Sequence, residues 1–584
     1  MVIVRYQGSS LGNIGGAVSV GSGSAAGYTL HTFTNTGSAN FNLSGVNMAN
    51  RLGSVLNGTI SGDGSLTYQG PGSLTLAAAN THTGDTRVTA GTLKIANVNA
   101  LQNSTLDTSE AGTVNFVGSG STYNLGGLIG NGNLSMGGNS LAVGANNAEF
   151  QIYTGGLSGN GGLTKVGSGN FILGGANSYL GDTVVSSGKL TLSSSNALSV
   201  GAVLKVDAGA TLQVNQRTVV GFLENNGTVT GSGSVVSAMN LVNGGNVSAT
   251  IADGSDYRAG IIKRTGATAV IDGNHTFTGT VKVEAGTLEL ASNGSLNGNA
   301  SLSMSGGGTM ALNRSQAFSQ VNGTGGTVEV VGTANQITVS GSENSSFGGS
   351  ITGTGGLVKS GAGLMQLNGS SSYTGTTQVQ GGALAVNGDN SAATGDVTVT
   401  AGGTLKGSGT VGGQITVSSG GHLAPGNSPG LLTAANGVAL ATGSVFEWEL
   451  TDNTLLGRGT SFDGVDITGG NLSIGMGVTS SLVFDFVGST VNWADEFWDV
   501  NQTWLVFDSD NAPTLASGSV FDTVNVSADS MGALLSASRT GSYFSWYQTG
   551  NDVVLAYNVP EPSSGALLVL GLGGLLALRR SRRA

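Results

Sequence analysis

Three carboxylates lie among aromatic residues near the C-terminal end of this sequence. Asp495, Glu496 and Asp499 occur in the stretch WADEFWDV. Paired carboxyl groups between aromatic rings could bind or cleave a sugar chain, one as general acid and the other as nucleophile or base. Sequence spacing does not set the distance between two carboxyl groups, and the alternative is a solvated loop beside an aromatic core. We favour the loop.

Other candidate ligands are equally isolated. Asp463 and Asp466 in FDGVD could contribute to a calcium site, but the nonapeptide array of calcium-binding β-rolls is absent. The chain has no cysteine, which excludes disulfides and thiolate metal sites. We therefore predict no catalytic residue, no metal site and no cofactor.

Composition indicates a folded, all-β protein. Among 584 residues, 103 are glycine and only 9% are charged, but the 38% that are hydrophobic recur in short alternating runs. A disordered glycine-rich chain would lack these apolar residues. The formal net charge is −11 and no basic stripe occurs, so a nucleic-acid partner is not expected.

An internal repeat sets the architecture. The segments GDGSLTYQGPGSLTLAAANTHTGDTRVTAGTLKI from Gly62, GNGGLTKVGSGNFILGGANSYLGDTVVSSGKLTL from Gly159 and GTGGLVKSGAGLMQLNGSSSYTGTTQVQGGALAV from Gly353 align without a gap. A fourth copy begins at Tyr257 and keeps the second half in register. The copies occupy residues 62–97, 159–194, 257–292 and 353–388, and such a fixed long period is typical of solenoids and arrays.

Apolar positions within the repeat alternate as they do in strands. One position holds Val88, Val185, Val283 and Val379, and another holds Leu93, Leu190, Leu288 and Leu384. Between them stand Gly91, Gly188, Gly286 and Gly382, where a tight corner would need positive φ. Short strands with glycine corners favour a parallel β-helix, although antiparallel hairpins would use similar turns. We favour the coil because gapless copies fit translation along an axis.

Two of the four histidines fall at corners of this repeat. His82 takes the position of Tyr179, Phe277 and Tyr373, and His275 takes that of Asn80, Asn177 and Ser371. With His31 and His422, they are far apart in sequence. We interpret His82 as a packed ring and His275 as a polar corner residue.

The repeat resembles the autotransporter-associated β-strand repeat of bacterial surface proteins. The resemblance rests on the G-x-G-x-L opening, the G-x-G-x-L-x-L middle and the Y-T-G-x-T-x-V-x-x-G-x-L close, as at Tyr373 to Leu384. It implies a right-handed β-helix over residues 1–433. The segment GTLKGSGTVGGQITVSSGGHLAPGNSPGLLT from Gly403 is similar to the stretch that commonly ends such helices.

The sequence changes character after residue 433. All five tryptophans fall between Trp448 and Trp546, and the strand-like runs become longer and more aromatic. We predict a separate β-rich module over residues 434–558 that caps the last coil, since an uncovered coil would expose unpaired backbone groups.

The C-terminal segment, residues 559–584, resembles a PEP-CTERM sorting signal. Its parts are a Pro-Glu-Pro motif, an apolar run from Gly565 to Leu578 and an arginine tail, with the signal residues Val559, Pro560, Glu561, Pro562, Arg579, Arg580, Arg582 and Arg583. The apolar run predicts a short transmembrane helix held by the arginines at the cytoplasmic face. The resemblance implies recognition by an exosortase and a surface location in a bacterium that makes exopolysaccharide.

The sequence therefore predicts an all-β protein: a parallel, right-handed β-helix solenoid, a small β-rich cap and a short C-terminal transmembrane helix. Its expected function is non-enzymatic, as an adhesin-like or structural protein of the cell surface or extracellular matrix. The alternative is a polysaccharide-binding or polysaccharide-degrading β-helix protein. The start, MVIVRYQGSSLGNIGG, is no secretion signal. Because exosortase substrates need one, we expect a misassigned start or a fragment.

Overall fold

The protein is built almost entirely from short parallel strands. The computed structural model describes residues 54–516 and 520–560, together with the backbone of strands Val2–Gln7, Ala17–Val20, Tyr28–Phe33 and Phe41–Asn42. It divides into two compact units, residues 1–316 and 317–584. In each unit, strands of successive coils pair in parallel, so each unit is a β-solenoid. The predicted all-β parallel solenoid is confirmed, and its handedness stays a prediction.

The first unit begins with an antiparallel sheet in which Tyr28–Phe33 pairs with both Val2–Gln7 and Ala17–Val20. Parallel strands then stack in columns. The first column and its flanking strands are Ser54–Leu56, Leu66–Leu76, Thr86–Ile95, Leu101–Asp107, Thr113–Phe116, Ser119–Ile129, Gly138–Val143, Leu163–Lys165, Thr183–Val185, Val203–Val206, Phe222–Asn225, Met239–Val242, Ile261–Lys263, Thr280–Val283 and Ser301–Met304. The second column is Phe150–Tyr153, Asn170–Leu173, Lys189–Leu192, Thr211–Val214, Thr228–Thr230, Gly245–Val247, Thr268–Ile271, Thr287–Leu290 and Thr309–Leu312. Shorter pairings at a third side are Leu134–Ser135 with Leu157–Ser158, and Thr218–Val219, Ser234–Val236 and Thr250–Ala252. The strand Gln316–Phe318 lies at the division between the units.

The second unit has the same construction. Its first column is Val321–Gly323, Ser345–Phe347, Leu364–Leu367, Gly382–Val386, Gly403–Gly407, His422–Pro425, Val445–Glu449, Thr479–Val483 and Thr523–Val526. Another column is Gln336–Val339, Gly356–Lys359, Thr377–Val379, Val397–Val399, Ile415–Val417, Val438–Leu440, Leu472–Ile474 and Thr514–Leu515. The remaining parallel strands are Thr327–Val330 with Ser350–Gly353, and Asp389–Asn390, Thr410–Val411, Leu431–Ala434, Gly464–Ile467 and Gln502–Ser509. Asp552–Asn558 and Tyr543–Thr549 complete this last sheet in antiparallel pairing.

The repeat windows form two strands in each of two successive coils. In the second window, Leu163–Lys165 pairs with Thr183–Val185, and Asn170–Leu173 pairs with Lys189–Leu192, both in parallel. The hairpin alternative is therefore wrong. The alternating side chains Val185, Leu190 and Leu192 all point into the core, as predicted.

The predicted glycine corners also have the predicted geometry. Gly91, Gly188, Gly286 and Gly382 have φ of 74°, 62°, 64° and 61°, in the region that favours glycine. At Gly188 a Cβ atom would lie 2.3 Å from the carbonyl oxygen of Gly167. The corner therefore needs glycine both for its φ and for the close approach of the preceding coil.

Parallel stacking continues through residue 434, and the coils lengthen. Leu431–Ala434 pairs in parallel with Gly464–Ile467, and Val445–Glu449 with Thr479–Val483. Two helical turns, Glu496–Asp499 and Leu535–Ser538, follow these strands in the chain. Three of the aromatic core residues, Trp448, Trp504 and Trp546, lie on strands. The module boundary at 433/434 stays a prediction.

The predicted transmembrane helix over Gly565 to Leu578 lies outside the described residues. Among the residues that are described, none forms a helix of the length and hydrophobicity required to cross a bilayer.

Candidate functional site

The predicted sorting signal begins directly after the last strand. Asp552–Asn558 ends beside Val559, whose amide N–H donates to the side-chain oxygen of Asn501 at 2.7 Å. Pro560 lies beside Gly541, where an added Cβ would be 2.9 Å from the proline ring. The other six predicted signal residues, Glu561, Pro562, Arg579, Arg580, Arg582 and Arg583, lie outside the described residues.

Two of the three carboxylates of WADEFWDV, Asp495 and Asp499, make contacts that stabilise a loop. Asp495 accepts a hydrogen bond from the Phe497 amide at 2.8 Å and caps the helical turn Glu496–Asp499. Asp499 forms an ion pair with Arg539, whose guanidinium also donates to the carbonyl oxygens of Trp493 and Asp495. These contacts hold together an exposed loop. From the sequence we favour such a loop over a sugar-cleaving site.

The tryptophans around this loop form a core. Trp448, Trp493 and Trp498 are fully buried, and Trp504 and Trp546 are 1% and 8% exposed. Trp493 and Trp498 pack with ring centroids 4.7 Å apart in a T-shaped arrangement. Buried indoles present no free face on which a sugar ring could stack.

The two aspartates of FDGVD also have structural partners. Asp466 pairs with Arg458 at 2.6 Å. Asp463 is 1% exposed and accepts hydrogen bonds from the amides of Gly430 at 2.7 Å and Glu449 at 2.9 Å. Residues 54–516 and 520–560 contain no group of three histidine or acidic side chains that could hold a metal ion.

Asp463 holds a strained loop that sequence reasoning missed. The loop is Gly426–Gly430, with the sequence GNSPG, and its Ser428 has φ of 131°, which is rare for a residue with a side chain. Gly426 ties the loop to the end of strand Gly403–Gly407 through two backbone hydrogen bonds with Gly407, at 2.8 and 2.9 Å. The glycines and the proline indicate a turn, but nothing in this stretch indicates a carboxylate partner 33 residues away.

Two carboxyl groups near this loop have raised pKa values. Burial raises the pKa of Asp463 well above its ordinary value, and the nearby Glu449 carboxylate raises it further. Burial also raises the pKa of Glu449, opposed by a hydrogen bond with Ser428 and by the charge of Lys406. Asp463, Glu449, Ser428 and Lys406 form a compact set of polar side chains. Ser428 could act as a nucleophile only if a neighbouring base activated its hydroxyl group.

The G-x-S-x-G pattern of this loop does not have the structural context of a hydrolase nucleophile. A nucleophile elbow joins a strand to a helix, whereas this loop joins strand His422–Pro425 to strand Leu431–Ala434. The His422 imidazole pairs with Glu447, with Nδ1 2.5 Å from Oε1. The geometry is that of a clamped turn between coils.

The buried rings at the repeat corners follow one rule. Tyr179 and Tyr373 place their hydroxyl groups 2.5 and 2.6 Å from the Oγ1 atoms of Thr183 and Thr377. In the third copy the corresponding residues are Phe277 and Val281, both buried. Where the ring lacks its hydroxyl group, the partner lacks one too.

The histidines occupy the same corners, as predicted. His82 places Nε2 3.0 Å from Thr86 Oγ1, and His275 accepts the Ile251 amide at 3.0 Å. Both rings are buried, and burial lowers the pKa of each to about 4. They are therefore neutral structural groups at pH 7. His422 lies at the surface side of its strand, and His31 lies in strand Tyr28–Phe33.

Three buried lysines form a further set that sequence reasoning missed. Lys165, Lys263 and Lys359 occupy equivalent repeat positions and are at most 1% exposed. Lys165 Nζ donates to the carbonyl oxygens of Val166 at 2.7 Å, Gly167 at 2.8 Å and Ser187 at 3.2 Å. The ammonium group thereby joins two successive coils at a corner where backbone carbonyls converge. Burial lowers the pKa of Lys165 to about 8.

Comparisons with known families agree with this architecture. A profile described as passenger-associated-transport-repeat matches residues 66–95, 163–192, 265–290 and 357–386, within the four repeat windows. The chain therefore carries four copies of this repeat on a parallel solenoid. A second profile, described as the PEP-CTERM protein-sorting motif, matches residues 558–583. The chain thus carries passenger-associated repeats and a C-terminal PEP-CTERM sorting motif.

Curated relatives match parts of the chain. The adhesin BmaC autotransporter of Brucella suis biovar 1 is 28% identical over 346 residues, which are 56% of this chain and 10% of that protein. An extracellular serine protease of Serratia marcescens is 38% identical over 108 residues, 18% of this chain and 10% of the protease. The autotransporter lipoprotein NalP of Neisseria meningitidis serogroup B is 36% identical over 135 residues, 22% of this chain and 11% of NalP. The chain spans about a tenth of the length of these relatives.

Proposed function

We propose that this protein is a non-enzymatic, adhesin-like structural protein of the bacterial cell surface or extracellular matrix. The observation that carries the proposal is the combination of four passenger-type repeats on a parallel solenoid with a PEP-CTERM motif at residues 558–583. In this proposal the solenoid provides the surface that contacts other molecules, and the C-terminal segment directs the protein to the cell envelope or outside the cell.

The proposed route to the surface uses the C-terminal segment as an address. An exosortase recognises Pro560, Glu561 and Pro562, while the apolar run enters the bilayer and the arginines hold its end in the cytoplasm. Val559 follows the last strand, Asp552–Asn558, directly, so the proposed address begins where the described strands end. Processing near the Pro-Glu-Pro motif then releases the solenoid or transfers it to the surface.

The absence of enzymatic activity is proposed from the state of the candidate groups. Asp499 is paired with Arg539, Asp466 is paired with Arg458, and the Asp463 carboxylate is occupied by two backbone amides. The relative that covers most of this chain is named as an adhesin, and the one named as a protease covers 18% of it. A screen of purified protein against neutral and acidic polysaccharides is expected to release no reducing ends. Activity that disappears when Asp495, Glu496 and Asp499 are replaced together by Asn or Gln would contradict this proposal.

The address is tested by replacing Pro560, Glu561 and Pro562 with alanine. The experiment uses an exosortase-bearing host and a chain given a working secretion signal. We expect the variant to accumulate unprocessed in the membrane, because the apolar run and the arginine tail remain. Mass spectrometry of the C-terminal peptide and cell fractionation measure the outcome.

The matched control replaces Ser563 and Ser564 with alanine, which changes neighbouring residues and leaves the motif intact. This control is expected to be processed like the parent chain. Deletion from Val559 onward is expected to give a folded protein that is no longer retained. If the triple-alanine variant is trimmed and released like the parent, the segment is an ordinary anchor and the sorting proposal fails.

A further inference from the structure

An open polar groove lies on the first unit. It has a volume of about 340 Å³ and is lined by side chains from four successive coils. The lining side chains that matter are Gln216, Arg217, Ser232, Ser234, Thr250 and Thr276. Small-molecule sites in proteins span roughly 300–1,000 Å³, so the groove has the size of a binding site.

The groove lies where the coils are shortest. Ser234 pairs with Thr250 in the next coil, so the chain completes that coil in 16 residues. Further along, Asn246 pairs with Val270, which gives a coil of 24 residues. The short coils have no residues to spare for a corner loop, so this side of the solenoid is recessed beside the longer coils.

A glycine keeps the floor of the groove open. A Cβ atom on Gly233 would lie 2.4 Å from the backbone oxygen of Gln216 and 2.5 Å from its nitrogen. A side chain at this position would force two adjacent coils apart. Only hydrogen therefore fits between the coils at the base of the groove.

Six of the polar side chains that line the groove make no hydrogen bond within the described part of the chain, while Asn215 Oδ1 accepts one from Gln213 Nε2 at 2.9 Å. The six are Gln216, Arg217, Ser232, Ser234, Thr250 and Thr276, in contrast to corner residues such as Asn177, whose amide group is fully engaged. Their donors and acceptors are thus directed to solvent or to a ligand. Hydroxyl and amide groups in this density can satisfy the hydroxyl groups of a sugar.

The groove also carries a positive charge on an acidic protein. Arg217 has no ion-pair partner among the described residues, and no aspartate or glutamate lines the groove. The chain as a whole has a formal net charge of −11. A planar guanidinium group with free donors matches a carboxylate in a bidentate arrangement. Both features favour an anionic ligand that also carries hydroxyl groups.

We propose that this groove binds an acidic saccharide, with Arg217 pairing with a uronate carboxylate and the serine and threonine hydroxyl groups bonding to the sugar ring. The inference rests on the proposed surface role, because it names the class of ligand, an acidic saccharide, that a protein at the cell surface would encounter. It does not depend on sorting, so a failure of the C-terminal address leaves it standing.

The test is isothermal titration of the purified full chain with hexagalacturonate. Cellohexaose, a neutral hexasaccharide, and inorganic phosphate are titrated in parallel. We expect hexagalacturonate to bind, binding to weaken as sodium chloride is raised, and the Arg217→Gln variant to bind roughly tenfold or more weakly. Arg258→Gln is the matched control, since Arg258 is also exposed in this unit and lies outside the groove. Circular dichroism confirms that both variants are folded.

Three outcomes would overturn the proposal. The first is that hexagalacturonate fails to bind, and the second is that Arg217→Gln and Arg258→Gln weaken binding equally. The third is that inorganic phosphate binds as tightly as the saccharide, which would make the groove a simple anion site. Retained affinity in Arg258→Gln with a loss in Arg217→Gln supports the assignment.

Discussion

The hydrogen bond between Tyr373 and Thr377 offers a test of how the repeat corners are stabilised. The two oxygen atoms are 2.6 Å apart, and both side chains are buried. Phe277 and Val281 fill the same positions in another copy. The perturbation is therefore a double-mutant cycle of Tyr373→Phe, Thr377→Val and the combination of both.

The loss of unfolding free energy in each variant depends on whether it leaves a buried hydroxyl group without a hydrogen-bond partner. Either single substitution removes one partner and leaves a buried hydroxyl group unsatisfied, which costs about 1–3 kcal/mol of unfolding free energy. The double variant removes both hydroxyl groups and reproduces the Phe277 and Val281 arrangement, so its cost is expected to be below about 1 kcal/mol. The two single costs sum to about 2–6 kcal/mol, so the coupling energy, which is the cost of the double variant minus that sum, has a magnitude of roughly 1–6 kcal/mol.

The assay is urea unfolding followed by tryptophan fluorescence. All five tryptophans lie between Trp448 and Trp546, in the same unit as Tyr373 and Thr377. The midpoints convert to free energies where the slope with urea is unchanged. Thr376→Val serves as the control, because Thr376 is exposed at the same corner and its loss is expected to be neutral.

Additive costs would refute the reasoning. If the double variant is as unstable as the sum of the two single variants, the hydroxyl pair is not a coupled unit. The substitution pattern among the copies would then need another explanation.

Three other perturbations test the buried groups and the corners, each by urea unfolding followed by circular dichroism. Burial lowers the pKa of His82 to about 4, so His82 is expected to reduce stability by up to about 3 kcal/mol as the pH falls from 6.5 to 4; His82→Tyr should remove this share and leave the similar share of His275. Burial lowers the pKa of Lys165 from 10.5 to about 8, so the unfolded chain binds more protons in this interval; stability is expected to rise with pH there, and Lys165→Met should flatten the rise. Gly188→Ala is expected to cost more than Gly209→Ala, since both have positive φ but only Gly188 meets neighbouring backbone, and equal costs would contradict the close approach.

Much of the solenoid was predictable because its pattern is local. Every copy of the repeat has apolar residues at the positions of Val185 and Leu190, with a glycine at the position of Gly188 between them. Side chains two residues apart share one face of a strand, so this pattern alone predicts which face is buried. The same copies identified His82 as a packed corner ring, since other copies place Tyr179 or Phe277 there.

The lysines show where local pattern is insufficient. Lys165 reads as a surface residue beside the buried Leu163, but its ammonium group lies inside the corner. Its partners include the carbonyl oxygen of Ser187, which only the stacking of the next coil brings within 3.2 Å. Burial of a charge depends on acceptors that are distant in sequence, and such acceptors leave no local signal.

The sequence by itself determined the strands, the glycine corners and the C-terminal motif, because each depends on residues a few positions apart. Only the tertiary structure decided which polar groups are paired. Asp499 meets Arg539 and Asp463 meets the Gly430 amide across 40 and 33 residues. Arg217, in a groove made by short coils, has no partner among the residues that the structure describes. Pairing is decided by the length of each coil, which sets the neighbours that stacking brings together.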